Sequence, residues 1–184
     1  MRVTGRVLLI TGMPGVGKTT LIRRVAERLH GARLGGFYTE ELREAGARTG
    51  FRLVDFEGHA FTFAHAGFSG PRVSRYGVDV ATLDARAEAL LAPRADVALY
   101  LVDEIGKMEC LSPRFVAAMR RLLDSGSCVV ATVARKGDGL IDEAKRWPGA
   151  TLCEVTHDNR DRLPDEVIAW LEAGGAFVST PAGE

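Results

Sequence analysis

Eight residues near the start of the chain have the types and spacing that hold a chain of phosphates. Residues 12–19 read Gly-Met-Pro-Gly-Val-Gly-Lys-Thr and match the pattern G-x-x-x-x-G-K-[ST] at every fixed position. The glycines let the backbone curl so that its N–H groups point inward and bind phosphate oxygens. Lys18 is predicted to reach the β- and γ-phosphates, and the Thr19 hydroxyl is predicted to bind Mg²⁺. The predicted nucleotide-binding residues here are Gly12, Met13, Pro14, Gly15, Val16, Gly17, Lys18, Thr19 and Thr20.

Two adjacent carboxylates could complete such a site. Asp103 and Glu104 directly follow the apolar run at residues 97–102, and parallel sheets bind ligands at the carboxyl ends of their strands. Asp103 is predicted to hold Mg²⁺ beside Thr19, directly or through water. Glu104 is predicted to orient an attacking water or to accept its proton as a general base. The alternative is that both residues only end a strand in solvent.

The elements around these residues alternate between strand and helix. Apolar, β-branched runs predict strands at residues 7–10, 97–102, 128–133 and 151–155. Helical spacing of apolar residues predicts helices at residues 19–29, 84–91, 113–123 and 140–147, and from Asp158 or Asn159 to Leu171. Residues 36–65 mix aromatic and β-rich stretches with turn residues, which predicts hairpins added to the sheet. The alternation predicts a three-layer α/β/α fold with a mainly parallel sheet.

Composition limits the possible partners. The chain has 184 residues, with 24 Lys and Arg against 24 Asp and Glu, so there is no excess of positive charge to attract nucleic acid or an anionic membrane. No apolar run reaches the roughly 18 to 20 residues that span a bilayer, and the first residues do not resemble a secretion signal. We therefore expect a cytoplasmic protein without a membrane or nucleic-acid partner.

Other side chains give weaker signals. Residues 135–138, Arg-Lys-Gly-Asp, partly match a guanine-reading motif but lack its Asn. Lys107 could reach a phosphate, although a Lys after a turn glycine is more often a surface residue. Arginines beside the predicted hairpins could stabilise charge on a transferring phosphoryl group. They are Arg43, Arg48, Arg72 and Arg75. The three cysteines fit neither a disulfide framework nor a zinc site.

The stretch 101–109, Leu-Val-Asp-Glu-Ile-Gly-Lys-Met-Glu, resembles the signature of a small nucleoside-triphosphatase family of hyperthermophiles. Its animal members are known as cancer-related nucleoside-triphosphatase. Residues 36–41, 75–79 and 159–164 are also similar to family stretches, so the resemblance covers about residues 7–171 in order. It places functional residues on the phosphate loop and on a second segment. That segment comprises Leu101, Val102, Asp103, Glu104, Ile105, Gly106, Lys107 and Met108.

The resemblance implies a RecA-like P-loop NTPase core and slow, Mg²⁺-dependent hydrolysis of ATP, GTP, CTP, UTP and TTP with little base preference. We expect one such domain over residues 1–173 and a flexible tail at residues 174–184. Two other functions stay open. A nucleotide or small-molecule kinase has a similar size and the same loop, and its lid could lie within residues 43–75. A nucleotide-dependent switch would hydrolyse slowly until a partner protein docks.

Overall fold

A computed structural model describes residues 6–174 of the chain. The strands of this part are β1 (Val7–Gly12), β2 (Leu34–Glu44), β3 (Ala47–Asp55), β4 (Ala60–His65), β5 (Arg72–Val73), β6 (Tyr76–Val78), β7 (Leu99–Ile105), β8 (Val129–Val133) and β9 (Ala150–Val155). Its helices are α1 (Lys18–Arg28), α2 (Val80–Leu91), α3 (Pro113–Asp124), α4 (Leu140–Lys145) and α5 (Leu163–Ala173). The predicted tail lies outside the described residues except for Gly174.

The nine strands form one sheet in the order β5-β6-β4-β3-β2-β7-β8-β1-β9. Strands β2, β7, β8, β1 and β9 are parallel to one another, whereas β3 to β6 pair antiparallel and extend the sheet beyond β2. Strand β8 lies between β1 and β7. The predicted mainly parallel sheet with added hairpins is therefore confirmed, although the two short strands β5 and β6 were not predicted.

Helices cover both faces of the sheet. In β1, Leu8 and Ile10 pack with α1 and α5, while Val7 and Leu9 pack with α2, α3 and α4. Successive side chains of a strand point to opposite faces, so a strand covered on both faces must be apolar at consecutive positions. The run of apolar residues in β1 therefore reflects its position between two helical layers, and the predicted three-layer α/β/α fold is confirmed.

Two predicted helix boundaries were wrong because side-chain capping was overlooked. Helix α2 begins at Val80, before the predicted residue 84, since the Asp79 side chain accepts a hydrogen bond from the Thr82 N–H and caps the helix. Helix α5 begins only at Leu163. The residues from Asp158 onward form a turn instead, which the Asn159 side chain closes by hydrogen bonds to backbone atoms of Thr156 and Glu154.

The second predicted strand is also displaced. Strand β7 begins two residues later than expected, at Leu99, and continues to Ile105, so Asp103 and Glu104 lie within the strand instead of following it. Its pairing with β2 depends on Gly36, which has a φ of 90° and stands opposite Leu101. A Cβ on Gly36 would lie 2.0 Å from the Leu101 carbonyl oxygen. The close approach of these two strands therefore requires glycine.

Candidate site at the carboxyl ends of the parallel strands

The glycine-rich loop joins the end of β1 to the start of α1. Gly15 and Gly17 have φ angles of 77° and 112°, which side chains with a Cβ rarely adopt. Gly17 is the N-cap of α1, so the free N–H groups of the first helical turn face the loop. Of the remaining loop residues, Val16 is buried in the core, whereas Met13, Pro14 and Thr20 are exposed. The predicted strand, loop and helix context is confirmed.

Lys18 brings the two sequence motifs together. Its Nζ donates a hydrogen bond to the Gly12 carbonyl oxygen at 3.1 Å and lies 3.5 Å from Glu104 Oε2. The lysine side chain is only 12% exposed, so its ammonium group is held between the loop and the acidic pair. A cation in this position can reach the phosphates of a molecule bound in the loop.

Asp103 is a buried carboxylate whose oxygens accept hydrogen bonds from three threonine hydroxyls. Thr19 Oγ1 donates to Oδ2 at 2.6 Å, Thr39 Oγ1 donates to the same oxygen at 3.0 Å, and Thr132 Oγ1 donates to Oδ1 at 2.7 Å. The donors come from α1, β2 and β8, and Asp103 is 2% exposed. Buried charge requires such partners, so Asp103 ties three elements together beneath the loop.

Glu104 differs from its neighbour in being partly open to solvent, with 31% of its side chain exposed. Burial raises the pKa of the Glu104 carboxyl above its usual value, and the nearby positive charge of Lys18 partly offsets that rise. A carboxylate with a raised pKa is a stronger base near neutral pH. The position and the pKa of Glu104 are therefore compatible with proton transfer.

A second buried carboxyl, Glu109, lies beside Glu104 and was not singled out by sequence reasoning. A Cβ placed on Gly106 would lie 2.7 Å from Glu109 Oε2 and 3.0 Å from Glu104 Oε1, so Gly106 separates the two carboxyls. Glu109 is 4% exposed, and burial raises its pKa well above the usual value, with the charge of Glu104 adding to the rise. The sequence gives no sign that this glutamate is buried.

The other residues of the second segment have structural surroundings. Leu101, Val102 and Ile105 are fully buried, and their side chains pack into the hydrophobic layers on both faces of the sheet. Met108 is half-buried and Lys107 is exposed. The apolar residues of the segment thus hold β7 in place, and the acidic pair is what the segment presents to the loop.

The protein oxygen atoms around Thr19 are suited to binding a hard cation. Thr19 Oγ1 and Asp103 Oδ2 lie 2.6 Å apart, and both are oxygen donors, which Mg²⁺ prefers. Mg²⁺ commonly binds through one or two protein oxygens together with water and substrate phosphates. In residues 6–174 there is no cluster of three or more His, Cys, Asp and Glu residues arranged for another metal. The residues present therefore fit Mg²⁺.

The four candidate arginines bind to groups at the far end of β2 and in the antiparallel strands β3 to β6 with their connecting turns. Arg43 and Arg48 pair with Glu41, and Arg75 Nε donates to the Tyr76 hydroxyl at 3.1 Å. Arg72 donates to backbone carbonyls of the same region. Within the described residues, none of these arginines forms a hydrogen bond or ion pair with the phosphate loop.

Sequence analysis did not identify two threonines and one arginine that lie at the site. Thr39 and Thr132 hold Asp103, and Thr132 stands out as a polar residue within the otherwise apolar run of β8, which is the signal that could have revealed it. Arg160, in the turn after β9, lies beside the phosphate loop near Gly17. Of the guanine-like motif, Arg135 contacts Met13 of the loop.

Together, the glycine-rich loop before α1 and the acidic pair on β7, with β8 between, define a P-loop α/β protein of the nucleoside-triphosphatase class. The sequence model of the family described as NTPase matches residues 7–168. The chain belongs to this family, so the predicted resemblance is confirmed. In residues 6–174, no helix combines the length and the apolar character needed to cross a membrane.

Relatives and solved structures agree with this assignment. The chain is 39% identical to nucleoside-triphosphatase THEP1 of Thermotoga petrophila over 90% of its own length and 92% of that protein. It is 40% identical to the same-named protein of Aquifex aeolicus over 90% and 98%. The crystal structure of THEP1 from Aquifex aeolicus superposes with a TM-score of 0.81, at 38% identity and with 91% and 99% of the two chains covered. The solution structure of a human cancer-related nucleoside triphosphatase gives a TM-score of 0.78, at 32% identity, with 92% and 98% covered.

Proposed function

We propose that this protein is a Mg²⁺-dependent nucleoside-triphosphatase of broad base specificity, acting on ATP, GTP, CTP, UTP and TTP through one domain at residues 1–173. The observation that carries the proposal is the contact of Lys18 with Glu104, together with that of Thr19 with Asp103. These contacts join a phosphate-binding loop to a cation ligand and a candidate base, as hydrolysis of a phosphoanhydride requires. The names of the curated relatives support the same activity.

Each residue has a distinct task in this mechanism. The loop N–H groups and the start of α1 hold the phosphate oxygens. Lys18 exchanges its contact with the Gly12 carbonyl for the β- and γ-phosphates, and its charge then opposes the negative charge that develops in the transition state. Thr19 and Asp103 hold Mg²⁺, which, when bound, neutralises charge on the phosphate oxygens. Glu104 orients the attacking water in line with the leaving group and accepts its proton.

Departure of Lys18 also affects Glu104. In the structure the ammonium group lies 3.5 Å from the Glu104 carboxylate, where it stabilises the carboxylate charge. When Lys18 turns to the phosphates, this attraction weakens and the basicity of Glu104 rises. Binding of the triphosphate thus prepares the base at the moment when the water must be activated.

The test is free phosphate released by the purified protein from each of the five triphosphates, with Mg²⁺ or with a chelator, beside Lys18→Ala. We expect release from all five that requires Mg²⁺ and is lost in the variant. Release limited to one base would contradict the broad specificity, and release in chelator would contradict the role of the metal.

The same experiment separates the other two functions. A kinase would turn over only after addition of a nucleoside, nucleotide or metabolite acceptor. A partner-dependent switch would bind nucleotide tightly, release little phosphate alone, and be stimulated by cell extract. Either result would replace the hydrolase proposal.

A further inference from the structure

The turn between β9 and α5 is built by one asparagine. Asn159 Oδ1 accepts a hydrogen bond from the Thr156 N–H at 2.8 Å, and its Nδ2 donates to the Glu154 carbonyl oxygen at 2.9 Å. The Arg160 N–H donates to the Thr156 carbonyl oxygen at 3.1 Å. These bonds close the turn on itself and fix the direction in which the next side chain, that of Arg160, leaves the backbone.

Arg160 extends from this turn to the phosphate loop. A Cβ built on Gly17 would lie 4.0 Å from Arg160 Cδ, so the aliphatic part of the arginine side chain runs beside the loop, and glycine leaves room between the two. The arginine is exposed. Within residues 6–174, its guanidinium forms no hydrogen bond or ion pair. Other arginines nearby are engaged, since Arg162 pairs with Glu166 at 2.9 Å and Arg24 with Asp161 at 3.5 Å.

The order of the strands gives a bound triphosphate its direction. The acidic pair lies on β7, which is separated from β1 by β8, whereas β9 lies on the opposite side of β1. The γ-phosphate must face Lys18 and Glu104 for hydrolysis. The other end of the molecule, which carries the ribose and base, then leaves the loop on the side of β9 and meets the turn that carries Arg160.

We propose that Arg160 is a base-binding residue whose planar guanidinium stacks on the face of the nucleotide base. The inference rests on the proposed function, because it takes the bound ligand to be a nucleoside triphosphate. Every base has a π-face of similar character, so stacking accepts all of them, and guanidinium groups stack well on such faces. A site that holds bases by stacking, without reading their edges, binds purine and pyrimidine triphosphates alike.

The test is equilibrium binding instead of turnover, by competition with a fluorescent nucleotide. Arg160→Ala should weaken binding of ATP, GTP, CTP and UTP each by about two- to fivefold, the usual strength of an exposed cation–π contact. Binding of inorganic tripolyphosphate, which has no base, should not change. Arg162→Ala, which removes a neighbouring arginine of the same turn, is the matched control and should bind every ligand as the wild type does.

A second variant separates stacking from charge. Arg160→Lys keeps the positive charge but loses the plane, so it should bind the four nucleotides as weakly as Arg160→Ala. Full recovery of nucleotide binding in the lysine variant, or an equal loss of tripolyphosphate binding in Arg160→Ala, would show a phosphate contact and overturn the proposal. Unchanged nucleotide binding in Arg160→Ala would overturn it as well. Because binding is measured apart from hydrolysis, a wild-type protein that binds nucleotides without releasing phosphate would refute the proposed function alone.

Discussion

The parallel part of the sheet and its antiparallel extension use charged residues in opposite ways. In the parallel part, Asp103 is buried and its oxygens are shared among three threonine hydroxyls. In the extension, Arg52 and Arg48 of β3 pair at the surface with Glu40 and Glu41 at the far end of β2. Exposed pairs contribute little to stability, whereas a buried charge without its partners is costly. The comparison therefore locates the chemistry in the parallel part and predicts different effects of substitution in the two regions.

The largest contrast is expected in turnover. Lys18→Ala should lower phosphate release by about 1,000-fold or more, since it removes a preorganised charge that stabilises the transition state. Arg52→Ala, which also removes one cation but from the extension, should release phosphate at the wild-type rate. The measurement is the rate at saturating ATP for both variants. Comparable losses would mean that the extension belongs to the catalytic machinery.

Glycine substitutions should separate the regions in stability. Gly36→Ala places a Cβ 2.0 Å from the Leu101 carbonyl oxygen at a φ of 90°, so we expect a loss of about 3 kcal/mol or more in the free energy of unfolding. Gly46, in the turn between β2 and β3, has a φ of 80° with open space around it. Gly46→Ala should cost only about 1 kcal/mol. Denaturant unfolding of both variants compares the cost of a steric clash between two strands with the cost of backbone strain alone.

A buried carboxyl makes the stability of the parallel part depend on pH. The pKa of Glu109 is raised by burial, so the folded chain binds this proton more tightly than the unfolded chain does. Below the unfolded pKa of about 4.3 both states are protonated and there is no cost. As the pH rises from there toward the folded pKa, this group lowers the stability.

The variant Glu109→Gln removes that titration. Its melting temperature should gain on that of the wild type as the pH is raised from about 5 to 8. Glu143→Gln, at an exposed ion pair with Arg120, should show no such gain. A constant difference between Glu109→Gln and the wild type at all pH values would contradict the raised pKa.

The smallest effect is expected for a surface pair of the extension. Arg52 Nη2 lies 2.7 Å from Glu40 Oε2, with both side chains partly exposed. Arg52→Ala should change the free energy of unfolding by less than about 1 kcal/mol, and the difference should shrink as salt is added. A larger loss that does not change with salt would show that Arg52 stabilises the extension by packing of its side chain instead of by its charge, and would contradict this prediction.

The same comparison explains what the sequence could reveal. Strands β1, β7, β8 and β9 and the phosphate loop were predictable because apolar runs and fixed glycines report burial and backbone shape directly. The parallel pairing of β2 with β7 was missed, since β2 has no apolar run and was predicted only as part of a hairpin. The prediction that Asp103 lies beside Thr19 followed from the rule that ligands bind at the carboxyl ends of parallel strands, whereas the contact of Lys18 with Glu104 was not predicted. The exact contacts between the loop and the acidic pair depend on the position of β8 between β1 and β7. That position is decided by pairing of segments that are distant in sequence.

Other features had a local signal that was overlooked, or had none. Asp79 caps α2 and Asn159 closes the turn before α5 through single side-chain hydrogen bonds, which moved both helix starts from their predicted positions. Arg160 lies near Gly17 although more than half of the chain separates them in sequence, and nothing in its sequence neighbourhood distinguishes it from Arg162. Such contacts arise only once the sheet has brought β9 beside β1.

The most direct test of the account is Glu104→Gln, assayed for both phosphate release and nucleotide binding, with Glu143→Gln as the control. The account predicts that turnover falls by about 100-fold or more because the base is lost, while nucleotide affinity is retained because Lys18 and the loop are intact. Glu143→Gln should match the wild type in both assays. Turnover of Glu104→Gln at the wild-type rate would contradict the claim that the loop and the acidic pair form one hydrolytic site.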